Sequence, residues 1–186
     1  MLQQVWEYED WAGIPLAGMR TAFWDEMNRR QVPQLGEMSV SDLMGMSLRA
    51  DPYPVGIYIF TEGDSIRYLG KSHGRSLAER VITHLDSRVP TGTGWSMSCC
   101  AAALSSATGC SRRDAVAQML GWRMLWLRVP QPGHRPVTDH IAIIENRLKW
   151  SGCLDPDLVS AKDRVRGYFT VAGHREIRNG ATLAGA

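Results

Sequence analysis

The sequence predicts an α/β (α+β) protein: a small, mostly antiparallel three-stranded sheet flanked by helices, with an N-terminal helical extension. Two observations carry the sheet. The runs VGIYIFT at 55–61 and SIRYLG at 65–70 are rich in β-branched and aromatic residues, and Glu62, Gly63 and Asp64 between them give a hairpin signal with a three-residue loop. RMLWLRV at 123–129 reads as a third strand, closed by the turn-forming PQPGHRP. The helices rest on a third observation, apolar residues recurring at helical spacing in the segments around those runs.

The extension carries two helical patterns, roughly Leu16 to Arg30 and, after Val32-Pro33, Ser39 to Leu48. Ser39 is a suitable N-cap, with Leu43, Met44 and Leu48 behind it. Pro52 and Pro54 then push the chain into extended conformations. With the hairpin loop centred on Gly63, Tyr58 faces Tyr68, Phe60 faces Ile66 and Gly56 faces Gly70, so one side carries two phenols with glycines at one end. From Arg75, the residues Leu77, Val81 and Leu85 form the stripe of a helix ending before Pro90, and Arg80 and His84, also four apart, share a neighbouring face. The stretch TGTGWSMSCCAAALSSATG reads as an inserted loop and short helix, and Ser111 caps another helix running to about Leu120. Thr138 caps a helix through Trp150, on which Glu145 lies beside the stripe Ile141, Ile144 and Leu148. A strand pattern at Gly167 to Val171 and a tail ending GATLAGA follow. The expected organisation is an extension at 1–50, a central domain at 51–175 with an insertion around 88–122, and a flexible tail at 176–186.

Composition narrows the class. A chain of 186 residues, 44% apolar, is long enough for one sizeable core. Its apolar stretches are interrupted well before the roughly 18 to 20 residues a membrane span requires, and the start MLQQVWEYEDW lacks the basic-then-apolar pattern of a signal, so a soluble cytoplasmic protein with no membrane partner is expected. A net charge of +2 does not announce a polyanion partner. The eighteen arginines against three lysines favour phosphate recognition, since the guanidinium fork suits phosphate oxygens, although a GC-rich coding sequence gives the same bias. Cys99, Cys100, Cys110 and Cys153 form no CxxC pair, which argues against zinc; the adjacent Cys99 and Cys100 read as packing thiols in a reducing compartment. His73, His134, His140 and His174 show no ligand spacing.

In order along the chain, Gly56-Ile57-Tyr58, Tyr68-Leu69-Gly70, Arg80, His84 and Glu145 together resemble the GIY-YIG nuclease family. The resemblance covers about residues 55 to 150 and rests on the conjunction: two short motifs straddling a hairpin, an R-x-x-x-H spacing on the next helix, and a glutamate on a later one. It implies a small sheet flanked by helices and a metal-dependent endonuclease that hydrolyses phosphodiester bonds, most readily in double-stranded DNA. The setting stays open among a restriction enzyme, a mobile-element nuclease, a repair enzyme and a delivered antibacterial DNase toxin, the last with an inhibitor (immunity) protein as partner. A catalytically silent nucleic-acid-binding module on the same fold is the alternative, and a protein-binding adaptor a third. The chain departs from the family pattern in lacking an asparagine some fifteen residues beyond the glutamate, and the stretch from Arg80 to Glu145 is longer than in minimal members.

The chemistry explains why those residue types belong together. Phosphodiester hydrolysis needs a nucleophilic water, neutralisation of charge growing on the phosphate and a stabilised leaving alkoxide, with on the order of 20 kcal/mol of relief. Arg80 suits the second need, and Glu145 the third as the carboxylate of a Mg²⁺ (or Mn²⁺) site. The resemblance nominates Tyr58 as base. A phenol with a pKa near 10 costs roughly 4 kcal/mol to ionise at pH 7 unless a neighbour such as Lys71 or the metal assists. Tyr68 is expected to hydrogen-bond the phosphate or the water, and His84 to orient phosphate or shuttle a proton. Arg29, Arg30, Arg112, Arg113 and the arginines of DRVRG are candidate backbone contacts to DNA.

Overall fold

Among the described residues four strands form the sheet, one more than the sequence predicts. In the computed structural model the described residues are 5–47, 55–72, 76–86, 88 and 99–129. Their elements run β1 (Val5–Glu7), α1 (Glu9–Ala12), α2 (Leu16–Arg30), a 3-10 turn (Leu35–Glu37), α3 (Val40–Ser47), β2 (Gly56–Glu62), β3 (Ser65–Ser72), α4 (Leu77–Leu85), α5 (Cys100–Thr108), α6 (Arg112–Leu120) and β4 (Arg123–Arg128). The sheet order is β1-β4-β2-β3. β2 runs antiparallel to both β3 and β4, while β1 pairs parallel to β4 through Val5–Trp126, Trp6–Leu127 and Glu7–Arg128. The expected three-stranded, mostly antiparallel sheet is therefore corrected to a mixed four-stranded one. The helix at Thr138–Trp150 with Glu145, the strand at 167–171 and the tail at 176–186 lie outside the described residues.

Strand alternation divides the core into two faces. On one face Ile57, Ile59, Ile66, Leu69, Leu125 and Leu127 pack against Trp6, Trp11, Phe23 and Met27 from β1, α1 and α2. On the other, Tyr58, Phe60, Met124 and Trp126 pack against Leu43, Met46, Leu77, Val81, Cys100, Leu104 and Met119 from α3 to α6. The N-terminal segment is thus part of the core rather than an appended arm. Its residue Arg30 secures it, donating to the carbonyl of Val5 at 3.0 Å, pairing with Glu26 and lying 5.6 Å over the Trp6 ring. The segment read as an insertion likewise contributes Cys100, Ala101, Leu104, Ala115 and Met119 to the second core.

The hairpin register differs from the expectation by two residues. Tyr58 pairs with Gly70 and Phe60 with Tyr68, whereas Thr61 pairs with Ile66 and Glu62 with Ser65. The turn is two residues long, with the positive φ of 54° on Gly63, and a one-residue bulge falls at Arg67. These two one-residue changes add to an even shift. Each side chain keeps its face, and Tyr58 and Tyr68 stay on the same side with ring centroids 5.9 Å apart.

The glycines at the ends of the two tyrosine motifs answer to packing. A Cβ on Gly70 would lie 2.4 Å from Cζ and Oη of Tyr58, and one on Gly56 would lie 2.5 Å from Trp126 Cζ2 and 2.6 Å from the Leu127 carbonyl oxygen. Gly70 is absent of side chain because the Tyr58 ring crosses it. Gly70→Ala is expected to lower stability by about 1–3 kcal/mol through overpacking. Gly45→Ala in α3, where an added Cβ meets nothing within 4 Å, is expected to be neutral or stabilising by up to about 1 kcal/mol. Urea midpoints of the two variants check this difference.

Candidate active site

The site is assembled where β2, β3 and α4 meet on the second face of the sheet. Ser76 starts α4 by accepting the Glu79 amide at 3.1 Å, which fixes the helix phase. Leu77, Ala78, Val81 and His84 are then its buried residues. His84 therefore lies in the core stripe rather than on the neighbouring face expected for it, only 1% exposed. One turn earlier, Arg80 is half-buried.

Four of the expected residues converge there. Tyr58, fully buried, has its hydroxyl oxygen 2.5 Å from Nε2 of His84. The Tyr68 ring is 4.7 Å from the His84 ring, and Phe60 closes the cluster with its ring at 5.7 Å, perpendicular to the imidazole. On its other side, Nδ1 of His84 meets the backbone N–H of Cys100 at 3.3 Å and its thiol at 3.2 Å. A backbone N–H can only donate, so Nδ1 is the acceptor and the proton of the neutral ring sits on Nε2, which donates to Tyr58. Sequence reasoning treated Cys100 as packing alone. Its contact with a histidine sixteen residues earlier has no local sequence signal.

Electrostatics follow from burial and from one cation. Burial first, and then the Arg80 charge, push the His84 pKa down to about 3, so its imidazole is neutral. Burial raises Tyr58 well above the ordinary phenol value, against the pull of the Arg80 charge and of hydrogen bonds from Tyr68 and Arg80. Burial raises Tyr68 too, with the neighbouring Tyr58 adding to it. No carboxylate is among the main influences on any of these three groups. Nε of Arg80 is buried and has no hydrogen-bond partner among the described residues. A cation held against hydroxyl and imidazole donors, without a described counter-ion, is a local excess of positive charge and donors suited to an anion.

Several expectations are corrected. Lys71 pairs with Ile57, so strand alternation puts it on the face opposite Tyr58; the cation acting on Tyr58 is Arg80. His84 has one nitrogen engaged by Tyr58 and the other by Cys100, which leaves neither for orienting phosphate or shuttling a proton. Arg30 is committed to Glu26, Val5 and Trp6, whereas Arg29 pairs with Glu26 at 2.7 and 2.5 Å and keeps its side chain largely exposed. Arg112 is half-buried and Arg113 exposed at the start of α6. Cys99 and Cys100 are buried, as expected of packing thiols. Glu145, the nominated metal ligand, lies outside the described residues, among which no three of His, Cys, Asp and Glu group as ligands. The described residues therefore do not by themselves supply a three-ligand metal site. No helix among the described residues is long and apolar enough to cross a membrane.

Comparison with protein-family models, with curated proteins and with solved structures finds no match to this chain. The site is accordingly defined by its own geometry.

His84 gives a pH test. Its pKa is lowered in the folded protein from 6.5 to about 3, so the unfolded chain binds the extra proton between those values. The stability linked to neutral His84 is present in full above about pH 6.5 and is lost as pH falls toward 3. Between pH 7 and pH 4 this amounts to on the order of 3 kcal/mol. His84→Gln is expected to lose less stability over that interval than the wild type, as checked by urea unfolding at both pH values.

Proposed function

We propose that the protein is a metal-dependent endonuclease of the GIY-YIG type that hydrolyses phosphodiester bonds, with double-stranded DNA as its substrate. The observation that carries this reading is the convergence of Tyr58, Tyr68 and Arg80 on one sheet face, with the Arg80 charge acting on the Tyr58 hydroxyl and no carboxylate among the main influences on the phenols. Arg80 binds and neutralises the phosphate through a guanidinium that keeps its charge at any relevant pH. Tyr68, whose hydroxyl donates to the Tyr58 oxygen in the resting site, turns that one proton to the phosphate or the attacking water when substrate binds, and Tyr58, so released, receives the proton of that water.

Burial alone makes Tyr58 a reluctant base, since it raises the pKa. Every polar neighbour that acts on its oxygen except the Cys100 thiol favours the phenolate, and added positive charge at the site strengthens that tendency. Glu145 is assigned the Mg²⁺ or Mn²⁺ ion, which when bound supplies charge neutralisation at the leaving oxygen. Arg112 and Arg113, with the arginines of DRVRG outside the described residues, are further candidates for contacts to the DNA backbone. The biological setting, and with it an inhibitor protein as partner, belongs to the same proposal.

Cleavage of supercoiled plasmid tests the reading. Nicking or linearisation that requires Mg²⁺ or Mn²⁺ is expected for the wild type, with a loss of at least about 100-fold in Arg80→Ala, Tyr58→Phe and Glu145→Ala, as for removal of a group that stabilises transition-state charge. A folded wild type that cuts neither DNA nor RNA, yet binds DNA with a steep salt dependence, would replace the enzyme by a silent binding module on the same scaffold.

A further inference from the structure

We propose that Cys100 is a positioning residue for the reaction at Tyr58: its backbone N–H and its thiol hold His84 as a neutral donor to the Tyr58 oxygen. The inference rests on the nuclease reading for what Tyr58 does, and on geometry alone for how Tyr58 is held.

The chain of contacts is short and closed. Cys99 and Cys100 begin α5 directly behind the end of α4. The Cys99 thiol donates to the carbonyls of His84 at 3.3 Å and Asp86 at 3.5 Å, tying the last turn of α4 to the start of α5. That tie brings the Cys100 amide and thiol to Nδ1 of His84, at 3.3 and 3.2 Å. Burial and the neighbouring Cys99 raise the Cys100 pKa well above the ordinary thiol value, so it retains the S–H it donates. With the Cys100 amide donating to Nδ1 and the thiol sharing that same lone pair, the ring proton is confined to Nε2, 2.5 Å from the Tyr58 oxygen.

This arrangement gives the Tyr58 oxygen more donors than a phenol can use. His84 Nε2–H, the Tyr68 hydroxyl and the Arg80 guanidinium all act on that one atom. A neutral phenol oxygen accepts two hydrogen bonds at most, whereas a phenolate accepts three. The donor set therefore fits the ionised form that a base requires. His84, with both nitrogens engaged, stabilises this oxyanion through its Nε2–H and relays no proton, and Cys100 sets the tautomer on which that depends.

Two-bond ¹H–¹⁵N spectra of the full chain labelled with ¹⁵N-histidine, run beside oligonucleotide cleavage kinetics, test the proposal. His84 is expected to show a protonated Nε2 and an unprotonated Nδ1, unchanged from about pH 5 to 8, where an ordinary histidine titrates. Cys100→Ala should lower kcat about three- to tenfold, the range of one lost hydrogen bond, with KM unchanged, because Cys100 touches no substrate. Cys100→Ser, which keeps a donor, should recover most of that loss. His84→Gln, which offers an N–H but cannot relay a proton, should retain more activity than His84→Leu.

A protonated Nδ1, or titration near the ordinary histidine pKa, in a wild type that cleaves would overturn the proposal and leave the nuclease reading intact. Equal losses in Cys100→Ser and Cys100→Ala would overturn it as well. If the wild type cleaves nothing, the nuclease reading fails, and the wild-type spectrum alone decides whether Cys100 sets the His84 tautomer. That spectrum needs no variant to fold.

Discussion

The hydrogen bond between the Tyr58 hydroxyl and Nε2 of His84 joins the central part of the sheet to α4 between two buried side chains, 2.5 Å from oxygen to nitrogen. An unmade hydrogen bond in such a place costs about 1–3 kcal/mol, so both partners are held to one geometry. Much of the local sequence answers to it. Gly70 has no side chain because the phenol crosses that position, Phe60 and Tyr68 wall the imidazole, and the start of α5 supplies the donors on its far nitrogen.

The two faces of the sheet divide the labour. Trp6, Trp11 and Phe23 fill one face with aromatic packing, the first two stacked at 5.1 Å, and Arg30 and Glu26 fasten β1 and α2 together there. The candidate site lies on the other face. There Tyr58, Tyr68, Arg80 and His84 sit on a strand pair backed by β4 and on a helix packed beside it. Functional groups carried on regular elements and locked by packing keep their positions better than groups on loops.

Helices and strands that declare themselves through capping and periodicity were legible in the sequence. The span of α2, bounded by Pro15 and the Val32-Pro33 pair, runs Leu16–Arg30 as expected, and Ser39 and Ser111 each accept an amide at the start of the following helix. Strand β1 was not legible, because three residues give no alternation to read and its partner β4 lies far along the chain. The hairpin register was missed because neither the two-residue turn nor the bulge at Arg67 has a unique sequence mark, yet parity preserved the face of both tyrosines. For α4, Leu77 and Val81 are buried and Leu85 packs against the same core as expected, while the polarity of histidine hid that His84 is buried with them. The position of Lys71 on the other face could have been read from strand parity alone. The part played by Cys100 is a tertiary contact, and nothing local encodes it.

Arg80, whose buried Nε has no hydrogen-bond partner among the described residues, is the proposed anchor for an anion beside Tyr58. A crystal structure of the Tyr58→Phe variant bound to a short DNA duplex tests that most directly, since the phenol is removed and the substrate stays whole. A backbone phosphate seated against Arg80, on the face carrying residues 58 and 68, is the predicted result. Arg80 closed by a carboxylate of the protein itself, with the duplex held elsewhere or not at all, would contradict the account.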